Sequence, residues 1–369
     1  MRIREISLQP FRNFKELRLR FDADRILIGG ANGRGKSNIL EAISYLSIGK
    51  SVRGAQDAQA VPHAGQYFDI RAVCGDGPHH HQLRLFYGND EGKKIFCDGT
   101  PLPRIADVLG ILKTVHFSPE DVALVMRFPA QRRRLLDILI SQTSAPYLYD
   151  LQQYQRVLAQ RNQLLKMSRG LLRDSDAQTL DAWDHQLARL GARIRWRRLA
   201  VLDRMQEGVA ASYAHLSGQR EAANAQYQYG RAGEGETPHS EEALFLELEQ
   251  ELKTKRTMEL QVGHTRCGSH RDNLIFSLDG YTADTFASEG QLKTLLISWK
   301  VAEMHFLEQE TGQGPVLLLD DVFSELDAQR SEALMGMVAG FEQVILTAPK
   351  RPDEKLCSGF AETWLDARV

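Results

Sequence analysis

Two short runs, separated by most of the chain, carry residue types suited to handling a string of phosphates. Gly30-Ala31-Asn32-Gly33-Arg34-Gly35-Lys36-Ser37 fits the pattern G-x-x-x-x-G-K-[ST], and the apolar run Val316-Leu317-Leu318-Leu319 ends in Asp320-Asp321. Glycines let backbone N–H groups turn inward around phosphate oxygens, which casts Gly30 to Ser37 as the nucleotide-binding loop. Lys36 is the charge for the β- and γ-phosphates, and Ser37 and Asp320 are hard oxygen donors for Mg²⁺. Asp321, one residue on, is the group placed to polarise an attacking water, so Lys36 and Asp321 are the catalytic pair expected. The implied cofactors are ATP and Mg²⁺.

Such a site needs elements that aim it. Ile26-Leu27-Ile28 reads as a short buried strand, and Asn38 to Leu46 carries apolar residues at Ile39, Ala42, Ile43 and Leu46, the spacing of an amphipathic helix. Strand, loop and helix in that order put the positive end of a helix dipole against the phosphates. A carboxylate pair ending an apolar strand is common in its own right, and its meaning here is conditional on the loop. A third run, Ala287-Ser288-Glu289-Gly290-Gln291, opens a helix expected from Gln291 to Met304.

That third run resembles the Leu-Ser-Gly-Gly-Gln signature of ATP-binding-cassette ATPases. The resemblance implies that Ser288, Gly290 and Gln291 cap the γ-phosphate held by a partner subunit, and that Ser324-Glu325-Leu326-Asp327 forms the loop, with Asp327, that crosses to that partner. The gap between Lys36 and Asp320 exceeds that of a transporter's nucleotide-binding subunit, so a domain-sized insertion is expected. Helical spacing recurs at Leu151, Tyr154 and Leu158 and again at Trp183, Leu187, Leu190 and Ile194, with a polar turn from Ser168 to Gln178 between two antiparallel helices. Helices of about 20 residues would reach only ~30 Å, a short arm rather than a long coiled coil.

A short helical arm inside a split cassette head is similar to the RecF family of bacterial replication and repair ATPases. Phe11-Arg12-Asn13-Phe14, Asn32-Gly33, Phe117-Ser118-Pro119-Glu120-Asp121, Arg132-Arg133-Arg134-Leu135-Leu136-Asp137, Gln160-Arg161-Asn162, Trp183-Asp184, Gly268-Ser269-His270-Arg271-Asp272 and Leu319-Asp320-Asp321-Val322-Phe323 carry the likeness. It implies an α/β fold, an ATP-binding-cassette-type ATPase head with an inserted, mainly α-helical arm. The expected divisions are 1–118 for the first part of the head, 119–259 for the arm and 260–369 for the second part. The family further implies slow, DNA-stimulated ATP hydrolysis, an ATP-dependent homodimer, double-stranded DNA as ligand, and RecR, with RecO, as partners in loading RecA. Other SMC-like ATPases, nuclease-associated or in phage defence, share the same motifs, and a transporter subunit shares fewer. Ser269 stands where the family pattern suggests Pro, and the loop Gly54 to Ala64 has no match. No glutamine loop or switch histidine is evident; Ser118-Pro119-Glu120 and Thr347 occupy those places and are assigned no chemistry.

Composition is compatible with this reading. The chain has 369 residues, 43% hydrophobic and 25% charged, enough for more than one core. No apolar run approaches a membrane span and the start resembles no signal peptide, so a cytoplasmic location without membrane partners is expected. Cys74, Cys97, Cys267 and Cys357 are isolated, with no C-x-x-C pair; His79-His80-His81 could bind a metal adventitiously, but with no acidic or Cys partner expected nearby it reads as a solvated hairpin loop. Ala232 to Glu242 reads as a loop leading into a helix capped by Ser240. His270-Arg271-Asp272 lacks the following Asn of a kinase catalytic loop and reads as a structural hairpin or a contact near the nucleotide. Although the net charge is −2, residues 127–204 hold 15 Lys and Arg against 7 Asp and Glu. Arg156, Arg161, Arg193, Arg197 and Arg198 are the candidate contacts to a duplex backbone, against the alternative of a merely solvated helical surface.

Overall fold

The computed structural model describes residues 1–63, 65–76, 79–168, 174–230, 240–324 and 326–365. Three sheets organise the chain. Strands β1 (Arg2–Leu8), β2 (Leu17–Arg20), β4 (Tyr67–Asp76), β5 (His79–Gly88), β6 (Gly92–Cys97) and β7 (Thr100–Pro101) form an antiparallel sheet in the order β2-β1-β4-β5-β6-β7. A parallel sheet has the order β14-β3-β13-β12-β8, from β3 (Arg25–Gly29), β8 (Thr114–Phe117), β12 (Val316–Leu319), β13 (Gln343–Ala348) and β14 (Ala361–Trp364). A small sheet runs β11-β10-β9, from β9 (Ala223–Gln228), β10 (Asn273–Leu278) and β11 (Tyr281–Thr282). The His79-His80-His81 triplet therefore begins β5; it is not a loop.

The helices are α1 (Lys36–Ile48), α2 (Pro119–Arg127), α3 (Pro129–Ser141), α4 (Ala145–Ser168), α5 (Asp174–Ser217), α6 (Glu241–Val262), α7 (Ala283–Phe286), α8 (Glu289–Thr311) and α9 (Ala328–Val338). The chain divides into two compact units: Met1–Ala123 with Glu207–Ala223 and Ala287–Val369, and Leu124–Gln206 with Asn224–Phe286. The second unit thus runs to Phe286 rather than ending at 259. The last turns of α5 also fall in the first unit, because this helix has 44 residues, about twice the length expected from periodicity. Residues 169–173, 231–239 and Glu325 lie outside the described residues. So do the middle of the Ser168 to Gln178 turn and most of the Ala232 to Glu242 loop. Ser240 caps α6, its hydroxyl accepting the Ala243 N–H at 3.1 Å.

In the first unit, β12 and β13 are buried along their whole length, as parallel strands covered on both faces must be, and β3 is buried from Ile26 onward. The antiparallel sheet packs its Ile3, Ile6, Ile70 and Leu85 with Ile39 and Ile43 of α1 into one core. The Phe11-Arg12-Asn13-Phe14 turn is stitched by reciprocal Phe11 and Phe14 backbone hydrogen bonds of 2.9 Å, and both rings are fully buried. Arg12 then grips Glu41 of α1 at 3.0 and 2.6 Å, tying this turn to the helix that follows the phosphate loop.

The second unit is mainly helical, and its interior holds charged pairs. Arg161 of α4 donates to Asp184 at 2.5 Å and to Thr265 at 2.7 Å and faces Glu259 at 2.8 Å; it is 0% exposed. Arg198 of α5, 2% exposed, grips Asp137, the Tyr227 hydroxyl and the Ser269 carbonyl. Arg195 forms a two-pronged pair with Asp272 at 2.9 and 2.8 Å, so Asp272 of the His270-Arg271-Asp272 run is structural. Arg161 and Arg198 consequently leave the set of candidate DNA contacts: a guanidinium enclosed by carboxylates cannot also reach a phosphate. Arg156 and Arg193 are exposed and Arg197 is half-buried. Removing one member of a buried pair strands the other charge. Arg161→Ala is therefore expected to cost about 3–5 kcal/mol in urea unfolding, whereas Arg156→Ala stays within ~0.5 kcal/mol of the parent. Equal midpoints for the two variants would contradict the interior role of Arg161.

Candidate nucleotide site

Parallel pairing brings the two distant runs to one edge. Ala348 pairs with Gly29 and Thr347 with Ile28 across β13 and β3, while Leu319 pairs with Leu346 across β12 and β13. The carboxyl ends of β3, β13 and β12 therefore lie along one edge of the sheet, Leu319 abreast of Leu346 and Leu27, and this is the edge at which open α/β sheets bind ligands. From β3 the chain turns through the glycine loop into α1. Gly35, the residue before α1, has φ 92°, and a Cβ there would lie 2.6 Å from both Asn13 and Phe14, so only glycine fits. Asn13 steadies the loop, donating to the Arg34 carbonyl at 3.4 Å and accepting from Asn38 at 2.8 Å.

Ala31, Asn32 and Gly33 are exposed at the crown of the loop, whereas Lys36 is 7% exposed beneath it. The Lys36 ammonium donates to the Gly30 and Ala31 carbonyls at 2.6 and 3.1 Å. Burial pushes its pKa below the ordinary lysine value, and the nearby Asp321 and Asp320 charges oppose that shift. A desolvated cation hydrogen-bonded to neutral carbonyls is a favourable place for an incoming anion.

Ser37, the second residue of α1, donates its hydroxyl to Asp320 Oδ1 at 2.9 Å, across 283 positions of sequence. Asp320 is 5% exposed, and its other oxygen faces the Arg53 guanidinium at 3.6 Å. Hydroxyl and carboxylate oxygens converging at a strand end are the hard donors that Mg²⁺ takes. Asp321 follows with φ 46°, a left-handed conformation unusual outside glycine, and its amide donates to the Thr347 hydroxyl at 3.0 Å. Thr347 in turn donates to Asp320 Oδ1 at 2.6 Å. The threonine assigned no chemistry from sequence thus touches both carboxylate residues, and Arg53 joins the same cluster. Its signal was its position at the end of β13, one strand from each motif.

The signature is built at the start of α8. Ser288 is its N-cap and exchanges hydrogen bonds with Gln291: the Ser288 hydroxyl accepts the Gln291 N–H at 3.3 Å, and the Ser288 N–H donates to Gln291 Oε1 at 2.7 Å. Gln291 also donates to Glu221 at 2.8 Å, and the exposed Ser288 and Glu289 point this helix end outward. Gly290 lies near Arg330, whose backbone N–H is accepted by Asp327, the N-cap of α9, at 2.8 Å. The signature and the Asp327 turn are neighbours through this arginine.

Fold and site together define the head of the RecF/RecN/SMC class: the model of the RecF/RecN/SMC N terminal domain matches residues 2–355. The chain is 33% identical over 358 residues to the DNA replication and repair protein RecF of Caldanaerobacter subterraneus subsp. tengcongensis, covering 97% of each. It is 36% identical over 360 residues to RecF of Frankia alni, covering 96% of this chain and 94% of the relative. A solved structure of the recombination mediator protein RecF-ATPrS in the RecFOR pathway superposes with a TM-score of 0.88 at 32% identity, over 99% of this chain and 96% of that one. An SMC head bound to the C-winged helix domain of ScpA, at 14% identity over 98% and 93% and TM-score 0.55, shares the fold alone. The chain belongs to the RecF family.

Thr347 supplies a clean structural test. Thr347→Val keeps the side-chain shape but leaves the Asp321 amide without its acceptor and Asp320 with one donor fewer. A loss of about 1–3 kcal/mol is expected in urea unfolding of nucleotide-free protein, with Thr347→Ser close to the parent. A valine variant as stable as the parent would show that this bridge is incidental.

Proposed function

We propose that this chain is an ATP-driven DNA clamp of replication and recombinational repair. The observation that carries the reading is the Ser37–Asp320 hydrogen bond, which joins the phosphate loop to the carboxylate strand in one site. Mg²⁺ held by Ser37 and Asp320 would neutralise the terminal phosphates. Around it, the N–H groups of Gly30 to Ser37 cradle the phosphates and Lys36 neutralises them from below. Asp321 accepts a proton from, or orients, the attacking water, and Thr347 fixes the backbone from which Asp321 projects. Hydrolysis is slow and resets the clamp.

One head lacks a cap for the terminal phosphate. Ser288, Gly290 and Gln291 supply it to a second copy, and Asp327 completes the crossing, so that two nucleotides close a head-to-head homodimer. The outward-facing α8 terminus supports this assignment. Double-stranded DNA then lies against the second unit, its phosphates met by Arg156, Arg193 and Arg197 without base reading. Arg193 is already paired loosely with Asp150 at 3.4 Å and Glu241 at 3.7 Å, contacts that a phosphate readily replaces. Stimulation by DNA, and action with RecR and RecO in loading RecA, belong to the same reading, which the RecFOR pathway named for two solved relatives supports. Among the described residues no helix is long and apolar enough to cross a membrane.

Sizing chromatography with and without ATP, each with and without duplex DNA, tests the reading. The parent should shift from monomer to dimer only with ATP, and Lys36→Ala should bind no ATP and stay monomeric. Ser288→Arg should bind ATP with near-parental affinity yet fail to dimerise. Loss of both properties in Ser288→Arg would place the signature in its own subunit's site and refute the two-copy arrangement.

A further inference from the structure

The hairpin end of the antiparallel sheet brings together three residues that sequence spacing keeps apart. β5 and β6 pair with Leu83 opposite Cys97, and the chain then reverses through Asp98 and Gly99 into β7. Asp98 is locked against the preceding strand: its N–H donates to the Gln82 carbonyl at 2.9 Å, and its Oδ1 accepts the Gln82 N–H at 2.8 Å. Its second oxygen, Oδ2, then lies 2.8 Å from His81 Nδ1 and 3.6 Å from Cys97 Sγ, and that sulfur lies 3.9 Å from His81 Nδ1. This overturns the expectation that the histidine run has no Cys or acidic partner.

We propose that His81, Cys97 and Asp98 form a binding site for a thiophilic divalent cation, Zn²⁺ in class, that clips β5 to the β6–β7 turn. A tetrahedral zinc ion with bonds of roughly 2.3 Å to sulfur and 2.0–2.2 Å to nitrogen and oxygen holds its ligands about 3.3–3.6 Å apart. The two sulfur separations are within a few tenths of an ångström of that, and the His81–Asp98 pair needs to open by roughly half an ångström. One thiolate, one carboxylate and one neutral imidazole balance a +2 ion, the thiol proton passing to solvent on binding. A sulfur, a nitrogen and an oxygen favour zinc over Mg²⁺ or Ca²⁺, which take oxygen alone. His81 and Asp98 are about half exposed, so the ion has an entry path and water fills the fourth position. The site is distinct from Ser37 and Asp320, whose donors are all oxygen.

Cobalt(II) titration of the full chain tests this, because a Co²⁺–thiolate bond gives a near-ultraviolet charge-transfer band that oxygen and nitrogen sites lack. One equivalent should develop the band, and added Zn²⁺ should abolish it. Asp320→Asn, which damages the oxygen site, should keep it. Cys97→Ser should lose the band, and His81→Ala and Asp98→Asn should weaken Co²⁺ binding by about tenfold or more, each with a circular dichroism spectrum matching the parent. Zn²⁺ should also raise the parent's thermal midpoint and leave that of Cys97→Ser unchanged. No band with the parent chain, a band that survives in Cys97→Ser, or binding indifferent to both His81→Ala and Asp98→Asn would overturn the proposal.

Discussion

The contact between Ser37 and Asp320 is the constraint on which the rest of the head depends. A 2.9 Å hydrogen bond between residues 283 positions apart exists only because β3 and β12 end on the same edge of the sheet, with β13 between them. Parallel register does this work: each strand's side chains are fixed by its neighbours, and a slip of one residue would turn every buried side chain to the other face. With Ile26, Leu317 and Ile345 buried in close-packed strands, such a slip would force the core to repack and is costly. The apolar core thereby sets the spacing of a polar site to tenths of an ångström.

Beside that contact the chain adopts a costly conformation at Asp321. Asp321 sits at φ 46°, and strained non-glycine residues of this sort cost on the order of 1–3 kcal/mol. The Thr347 hydroxyl meets the strain with two hydrogen bonds, one to each member of the carboxylate pair, and so ties the Asp321 backbone to the Asp320 carboxylate. The second unit answers a different demand. Its helices are sewn together by enclosed arginines, each ringed by carboxylates and hydroxyls, which is geometrically specific but brittle to the loss of any one partner.

The parts of this architecture legible in the sequence were those whose chemistry is written in consecutive residues. The glycine loop with its strand and helix, the paired carboxylates and the Ser288 helix start all follow from local pattern, because loop, strand and cap each depend on neighbours a few positions away. Thr347 and Arg53 were not legible: a threonine ending a strand and an arginine in an unmatched loop acquire meaning only through the register of β13 and the fold of the loop after α1. Arg161 and Arg198 misled for a related reason. A basic run on a helix looks like a phosphate-binding face until Asp184, Glu259, Asp137 and Tyr227 are known to surround it. Likewise His81 found Cys97 and Asp98 through the β5–β6 pairing, which no spacing rule foretells. The length of α5 exceeded expectation because its buried positions continue at helical spacing beyond Ile194, through Val201, Met205, Val209, Tyr213 and Leu216.

In the proposed function Asp320 and Asp321, adjacent in sequence, serve opposite sides of one nucleotide. Sizing Asp320→Asn and Asp321→Asn side by side at the same ATP and Mg²⁺ concentrations tests it most directly. Asp321→Asn should bind ATP, cease hydrolysis and accumulate a persistent dimer on duplex DNA, since an amide cannot accept the water's proton. Asp320→Asn should fail at Mg²⁺-dependent binding and remain monomeric. Hydrolysis at the parental rate by Asp321→Asn, or failure of both variants to dimerise, would contradict this division between the two carboxylates.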